Sequence, residues 1–282
     1  MSEQSDNKKS VDISDEAIHW DQDISYGQYL DLESLLACQN PRSSQHDEML
    51  FIIIHQTSEL WMKLCLHEAS SAAALIAADD LNPAFKMLTR VARIQEQLLS
   101  AWGVLSTLTP ADYASFRDAL GQSSGFQSYQ YRELEFLLGN KNAAMVAVHR
   151  GHSEHHQRLL DVLNAPSIYD LALQLLSKRG FDIPDDHLQR DWSEPYATSI
   201  AVEAAWKKVY VDVGKYWDLY ELAEKLVDLE YQFQKWRFSH VKTVERIIGY
   251  KPGTGGTAGV KYLNKALDLQ FFPELWSLRS SL

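Results

Sequence analysis

Apolar residues recur at intervals of three and four along most of the chain, which is the spacing of one face of an α-helix. The pattern is unbroken from His46 to about Ala78, where apolar side chains cover much of the helix surface. A helix of this kind belongs in the interior of a fold. No segment alternates as a strand would, and none repeats. The chain is therefore predicted to be all-α.

Cap residues and breakers predict where the other helices begin and end. Thr109, Pro110 and Asp112 form a T-x-x-D box that marks a helix start, and Ser124–Gln127 repeats this logic as S-x-x-Q. Gly180 and Pro184 indicate a break. The predicted helices are a short one ending at Asn40–Pro41, then 82–105, one from Thr109, 128–140, 142–163, 166–179, 198–250 as a pair or one broken helix, and about 259–269.

Composition supports a folded, helix-rich protein. The chain has 282 residues, of which 45% are hydrophobic, with only 13 Gly and 8 Pro. Such a chain can bury a sizeable core, and scarce breakers favour long helices. Residues 1–20 are polar and predict a flexible tail. We expect residues 21–282 to form a single all-α domain that resembles a helical bundle.

Charge and signal content exclude several classes of protein. The formal net charge is −11 and no dense Lys/Arg run occurs, so nucleic-acid binding is disfavoured. No apolar run approaches the ~20 residues that span a bilayer, and the N-terminus lacks a secretory apolar region. The two cysteines are too few for a disulfide scaffold. We expect a soluble, cytoplasmic protein.

Two histidines lie on apolar stripes. His55 follows Phe51 by four residues, so that a ring and an imidazole share a helix face that suits a flat aromatic ligand. His240 lies on a stripe with Phe233 and Trp236, where a neutral imidazole can bind haem iron. By spacing alone, ordinary core packing is the favoured interpretation of both histidines.

A second pair and a glycine-rich run indicate a site for a charged ligand. Tyr113 and Arg117 are four residues apart, and a phenol beside a guanidinium can bind a carboxylate. Taken by itself, this pair is better explained by a solvated helix face on which Arg117 pairs with a nearby acid. The run 251–260 carries Thr254 and Thr257 and lacks the context of a phosphate loop. It is either a lid that orders over a substrate or a mobile connection.

A histidine cluster lies in the segment HRGHSEHH. His149, His152 and His156 stand at helical spacing, with His155 and Glu154 beside them. Histidines four residues apart can hold zinc, but the order differs from H-E-x-x-H. A hydrated helix face is the favoured interpretation.

Several stretches in chain order carry a resemblance to a known family. They are YGQYLDLESLL, HDEMLFIIIHQTSELWMKL, FRDALGQSSGFQSYQYRELEFLLGNK, FQKWRFSHVKTVERIIGYKPGTGGTAGVKYL and FFPELWSLR. Together they resemble the tryptophan 2,3-dioxygenase family, whose haem enzymes open the indole ring of tryptophan. The resemblance spans nearly the whole chain beyond the tail, and residues 143–200 carry little of it.

The resemblance implies an all-α fold with haem b between long helices, one per subunit and ferrous when active. By position, His240 matches the proximal iron ligand and His55 the catalytic histidine that accepts a hydrogen bond from the indole N–H. Phe51 matches the ring against the indole. The remaining matches are Arg117 with Tyr113 at the substrate carboxylate, Thr254 at the charged end of the amino acid, Ser124 and Gly125 near the oxygen, and Tyr26, Tyr29 and Leu30 reaching into the neighbouring subunit.

The implied activity is cleavage of the indole C2–C3 bond of L-tryptophan by O2, giving N-formyl-L-kynurenine, the first step of the kynurenine pathway. The implied assembly is a homotetramer, a dimer of dimers. Three alternatives remain: a haem enzyme that hydroxylates a modified indole, a non-catalytic haem or tryptophan sensor, and a helical scaffold with structural histidines.

Overall fold

Long helices dominate the computed structural model, which describes residue 11, residues 13–16 and residues 24–282. These residues form α-helices and short 3-10 helices and no strand, which confirms the all-α prediction. The α-helices are α1 (Tyr26–Tyr29), α2 (Leu32–Ala37), α3 (Asp47–Ala77), α4 (Leu81–Leu105), α5 (Pro110–Phe116), α6 (Tyr129–Leu138), α7 (Ser153–Leu163), α8 (Ile168–Lys178), α9 (Asp185–Leu188), α10 (Ile200–Val211), α11 (Trp217–Ile248), α12 (Val260–Leu267) and α13 (Pro273–Ser277). The 3-10 helices are Arg117–Leu120, Gly125–Gln127, Ala143–His149 and Leu278–Ser280.

The described residues fall into two compact units, one that ends at Asn40 and one that begins at Pro41. Within the first unit, Asp31 has a φ of 49° and separates α1 from α2, so the short helix predicted here is two helices. A left-handed residue interrupts a right-handed helix. Most of the flexible tail predicted for residues 1–20 lies outside the described residues. The domain boundary at residue 21 stays a prediction.

Three long helices build the centre of the second unit. α3 packs along α4, and α4 packs along α11. Small buried side chains on α3, including Cys65, Ala69 and Ala72, allow the axes of α3 and α4 to approach closely. α3 and α4 begin and end within one or two residues of their predicted bounds. Every helix in the described part of the chain is too short or too polar to span a lipid bilayer.

A buried ion pair fixes α11 against α6. Glu135 of α6 accepts hydrogen bonds from Arg132 and from Arg237 Nη2, the latter at 3.0 Å. Arg237 Nη1 also donates to the Leu269 carbonyl at 2.8 Å. Because an unpaired buried charge is costly, this pairing favours the observed position of α11 relative to α6. Arg237 precedes His240 by about one turn, so the clamp positions the candidate iron ligand.

Cap residues account for several helix starts. Thr109 and Asp112 form the predicted capping box of α5, with Pro110 at the first helical position. Ser124 and Gln127 form a box as well, but it caps a 3-10 helix, and Ser128 caps α6 separately. Residues 198–250 form the predicted pair of helices, α10 and α11.

The single helix predicted for residues 142–163 is wrong. Residues Ala143–His149 form a 3-10 helix, and α7 starts only at Ser153. Between them His152 has extended backbone angles of −128° and 91°, which no helix accommodates. The break after Gly180 is confirmed, and the one-turn α9 follows Pro184.

Candidate active site

His55 and Phe51 project from the N-terminal half of α3 and contact each other. Their ring centroids lie 4.2 Å apart at an interplanar angle of 40°. The Phe51 ring also lies 5.9 Å from Tyr113 and 5.7 Å from Phe116, both on α5. The pair predicted on α3 therefore meets the pair predicted on α5 through aromatic contacts.

Hydrogen bonding and burial select one form of the His55 imidazole. Nδ1 lies 2.7 Å from the Phe51 carbonyl oxygen. Because a carbonyl can only accept, Nδ1 carries the proton and donates it. Burial lowers the pKa of His55, although the Phe51 carbonyl and the Glu59 carboxylate act in the opposite direction. At neutral pH the ring is uncharged, and Nε2 presents a lone pair that can accept an N–H donor.

His240 lies on α11 against an aromatic wall. Trp102 of α4 stacks on its ring at 4.7 Å and 11°, and Trp236 packs at 5.3 Å. Burial first and the nearby His55 second lower the pKa of His240 to about 4. The ring is therefore neutral at physiological pH, with a lone pair that can bind a metal. His55 therefore affects the pKa of His240 although the two histidines come from different helices.

Arg117 begins the 3-10 helix that follows α5, and its guanidinium contacts the glycine-rich segment. Its Nη2 donates to the Pro252 carbonyl at 2.7 Å. Burial raises the pKa of the Tyr113 phenol, while the adjacent Arg117 acts in the opposite direction. A neutral phenol thus lies beside a guanidinium that has further N–H donors, which is an arrangement suited to a carboxylate.

The glycine-rich segment 251–259 is a folded loop. The backbone N–H of Gly253 donates to the Thr257 carbonyl at 3.1 Å, and that of Gly256 donates to the Gly253 carbonyl at 3.0 Å. Gly256 has a φ of 81°, a conformation that favours glycine. The interpretation of this segment as a mobile connection is therefore disfavoured.

The same loop is docked on the segment that carries Ser124 and Gly125. The Thr254 hydroxyl donates to the Ser123 carbonyl. A Cβ atom on Gly255 would lie 2.7 Å from the Cβ of Ser124, so only glycine permits this approach. Ser124 and Gly125, which begin a 3-10 helix, are thereby brought beside Thr254.

Tyr26, Tyr29 and Leu30 lie in the first unit. Their side chains are 76%, 74% and 40% exposed, respectively. Large apolar side chains exposed together in one short segment are typical of a contact surface. Their predicted reach into a neighbouring subunit stays a prediction.

The histidine cluster does not form a continuous helical stripe. His149 ends the 3-10 helix and is buried, whereas His152 precedes α7. His155 stacks on Tyr129 with ring centroids 3.9 Å apart. Within the described residues, no group of three or more His, Cys, Asp or Glu side chains is arranged to hold a metal ion. The stacking and the burial point to packing roles.

The sequence patterns do not single out Trp102 or Phe116. Trp102 follows Leu98 by four residues and so continues an apolar stripe of α4. This helical spacing is the only feature of the sequence that marks Trp102 as buried. The backbone carbonyls of Ser123 and Pro252, which hold Thr254 and Arg117, have no sequence signal, because every residue carries a carbonyl.

Nearly the whole chain resembles proteins of one family. A sequence profile described as tryptophan 2,3-dioxygenase matches residues 12–208 and 207–282. The chain belongs to the tryptophan 2,3-dioxygenase family. A tryptophan 2,3-dioxygenase of Polaromonas sp. is 57% identical over 277 residues, which cover 98% of this chain and 92% of the relative. One of Bacillus thuringiensis subsp. konkukian is 56% identical over 272 residues, covering 96% and 98%.

The second unit brings most of the predicted tryptophan 2,3-dioxygenase site residues into one connected set. Aromatic contacts, hydrogen bonds and close approaches link the members on α3 and α5 to the glycine-rich loop, and His240 of α11 is related to them by the effect of His55 on its pKa. The members of this set are His240, His55, Phe51, Tyr113, Arg117, Thr254, Ser124 and Gly125. Their roles toward a substrate are taken up as proposals below.

Proposed function

We propose that the chain is a haem-dependent dioxygenase that cleaves the indole C2–C3 bond of L-tryptophan with O2 and yields N-formyl-L-kynurenine. This reaction is the first step of tryptophan catabolism by the kynurenine pathway. The observation that carries the proposal is the contact of His55 with Phe51 on α3 and of Phe51 with Tyr113 on α5, together with His240 of α11 stacked on Trp102. Membership of the tryptophan 2,3-dioxygenase family over nearly the whole chain supports the same activity.

The surroundings of His240 fit a haem group. A neutral imidazole is a common axial ligand of haem iron, and Trp102 and Trp236 add a flat apolar wall. Within the described residues, the indole Nε1–H of Trp102 is buried without an acceptor, which a polar group of a cofactor can provide. His240 would hold one haem b per subunit, and ferrous haem supplies the activation of O2.

His55 and Phe51 orient the indole. Nε2 of His55 accepts a hydrogen bond from the indole N–H, since Nδ1 is already committed to the Phe51 carbonyl. The Phe51 ring packs against the indole, an apolar contact that adds to the positioning. Because burial keeps the pKa of His55 low, the acceptor is available at neutral pH. His55 is thus the catalytic residue that touches the reacting ring, and its main contribution is orientation.

Arg117 and Tyr113 bind the substrate carboxylate, and Thr254 contacts the charged end of the amino acid. Arg117 Nη2 donates to the Pro252 carbonyl, so the glycine-rich loop is docked on the guanidinium, an arrangement that we call closed. An indole compound that lacks the carboxylate cannot form this ion pair, so the Arg117 guanidinium loses its anionic partner. Tryptamine, which lacks that group, should therefore be a poor substrate.

Ser124 and Gly125 border the side on which oxygen binds, and the N-terminal segment completes the site of a neighbouring subunit. The exposure of Tyr26, Tyr29 and Leu30 supports such a partner contact within a homotetramer, a dimer of dimers.

The net charge of −11 accords with a protein that binds no nucleic acid. We place the enzyme in the cytoplasm.

Product analysis tests this function. Haem-loaded protein is reduced and then supplied with L-tryptophan in air, with tryptamine as the matched control. The proposal predicts a product that is heavier than tryptophan by two oxygen atoms, and little conversion of tryptamine. Addition of a single oxygen atom would instead identify a hydroxylase, and binding without oxygen consumption would identify a sensor.

A further inference from the structure

Phe116 is a fully buried aromatic side chain at the last position of α5, with an exposed fraction of 1%. Its ring centroid lies 5.7 Å from that of Phe51 at an interplanar angle of 61°, and 5.5 Å from that of Tyr113 at 82°. Both contacts are edge-to-face, a geometry that aromatic pairs favour. Phe116 therefore contacts the ring proposed to hold the indole and the phenol proposed to hold the carboxylate at the same time.

The three rings form a closed triangle. Phe51 of α3 and Tyr113 of α5 also contact each other directly, with centroids 5.9 Å apart and an interplanar angle of 41°. These two rings are partly buried, whereas the Phe116 ring is enclosed. Protein interiors are close-packed, so an enclosed ring restricts the positions of the two rings that it supports.

Buried apolar side chains from three parts of the chain enclose Phe116. They are Leu105 at the end of α4, Leu108 in the segment that follows, and Ile247 near the end of α11. With seven residues, α5 is too short to be stable as an isolated helix. Its position therefore depends on packing contacts, and Phe116 is its buried anchor.

The same anchor stands at the point where the backbone turns toward Arg117. The backbone angles of Phe116 are −121° and −3°, and a 3-10 helix begins at the next residue. The Arg117 N–H donates to the Tyr113 carbonyl, and the Arg117 guanidinium donates to the Pro252 carbonyl at 2.7 Å. Because Tyr113 and Arg117 lie three residues before and one residue after Phe116, a shift of the anchor moves both side chains.

We propose that Phe116 is a positioning residue that sets the separation between the Phe51 ring and the carboxylate clamp formed by Tyr113 and Arg117. It acts by packing and touches neither substrate nor cofactor. A molecule with an indole and a carboxylate on one short linker binds well only when both parts of the site stand at the matching separation. Phe116 thereby contributes to the selection of an indole amino acid. This role rests on the proposed function.

Phe116→Leu tests the role, and Phe136→Leu is its matched control. Both phenylalanines are fully buried, but Phe136 lies in a separate cluster with Val146, Leu159 and Leu163. Urea unfolding should show comparable losses of stability. We expect Phe116→Leu to raise the Kd of the ferrous haem protein for L-tryptophan about 2- to 10-fold, the order that one aromatic pair contributes. Phe136→Leu should leave this Kd unchanged, and equal values in the two variants would overturn the proposal.

A double-mutant cycle separates positioning from a general loosening of the core. Tyr113→Phe keeps the ring and removes the hydroxyl of the clamp. Because Phe116 is proposed to act in part through the placement of that hydroxyl, Phe116→Leu should raise the Kd distinctly less in the Tyr113→Phe background than in the wild type. The same increase in both backgrounds would show that Phe116 does not act through the clamp and would contradict the positioning role.

Failure of this role and failure of the proposed function give different results. A wild-type haem protein that binds no L-tryptophan would refute the proposed function and this role with it. A wild type that binds L-tryptophan, with a Kd that Phe116→Leu leaves unchanged, would overturn the positioning role alone. If Phe116→Leu does not fold, Phe116→Met beside Phe136→Met tests the same claim with a more adaptable side chain.

Discussion

Gly255 is a residue at which the glycine-rich loop lies against Ser124 with no room for a side chain. A Cβ atom there would lie 2.7 Å from the Cβ of Ser124 and 3.0 Å from its Oγ. Ordinary contacts of a Cβ begin near 3.4 Å, so Gly255→Ala requires the loop to move away by about 0.7 Å. Thr254 and Pro252 would move with it, and the closed loop would become less favourable.

The expected penalty falls on the state with bound substrate. We expect the free variant to relieve the clash by moving the loop away from Ser124, whereas the proposed binding of tryptophan by Arg117 and Thr254 requires the loop in its docked position. Overpacking of a tight contact typically costs about 1–3 kcal/mol, which corresponds to an increase of about 5- to 150-fold in the Kd for L-tryptophan. Spectral titration of the ferrous haem protein measures this Kd. Gly214→Ala is the matched control, because a Cβ there meets nothing within 4 Å.

A double-mutant cycle decides whether the contact with Ser124 is the cause. Ser124→Gly removes the side-chain atoms that the added methyl group would meet, and replacing a cap serine by glycine costs only a few tenths of a kcal/mol. In the Ser124→Gly background, Gly255→Ala should therefore raise the Kd far less than in the wild type. An equal increase in both backgrounds would refute the reasoning.

Three further predictions concern two residues of the candidate site and one buried glutamate at the start of α3. Arg117→Ala should keep haem but weaken tryptophan binding by about 2–5 kcal/mol, as measured by titration. His240→Ala should abolish the Soret band of haem-supplied protein, whereas His67→Ala, at an exposed position on α3, should retain it. The Ser43 hydroxyl and nearby backbone N–H groups lower the pKa of Glu48 from its ordinary 4.5. The charged carboxylate therefore stabilises the fold fully above about pH 4.5, and this stabilisation is lost as the pH falls through the lowered pKa. Urea unfolding should show that Glu48→Gln is destabilised at pH 7, with the difference from wild type shrinking at low pH.

The helical framework can be predicted from the sequence because helix periodicity and caps are local signals. The bounds of α3 and α4 and the capping box at Thr109 show this. The segment from Ala143 to His149 could not be assigned correctly, because a 3-10 helix also places residues three apart on one side. Asp31 breaks the first helix by a backbone angle that its residue type alone does not reveal.

The candidate site could be predicted only in pieces. Spacing finds the pairs Phe51–His55 and Tyr113–Arg117, because members of a pair four residues apart share a helix face. It does not say which histidine faces iron, and the family resemblance is needed for that assignment. The stacking of Trp102 on His240 joins α4 to α11, and contacts between separate helices depend on packing that local periodicity does not encode.

The central claim is that His240 holds a haem whose open side, bordered by His55, binds L-tryptophan. Absorption spectroscopy of the anaerobic ferrous protein, with and without L-tryptophan, tests it most directly. The account predicts a Soret band that shifts with saturation when L-tryptophan is added, and a much weaker response to tryptamine. Absence of a Soret band after haem is supplied, or a band that does not respond to L-tryptophan, would contradict it.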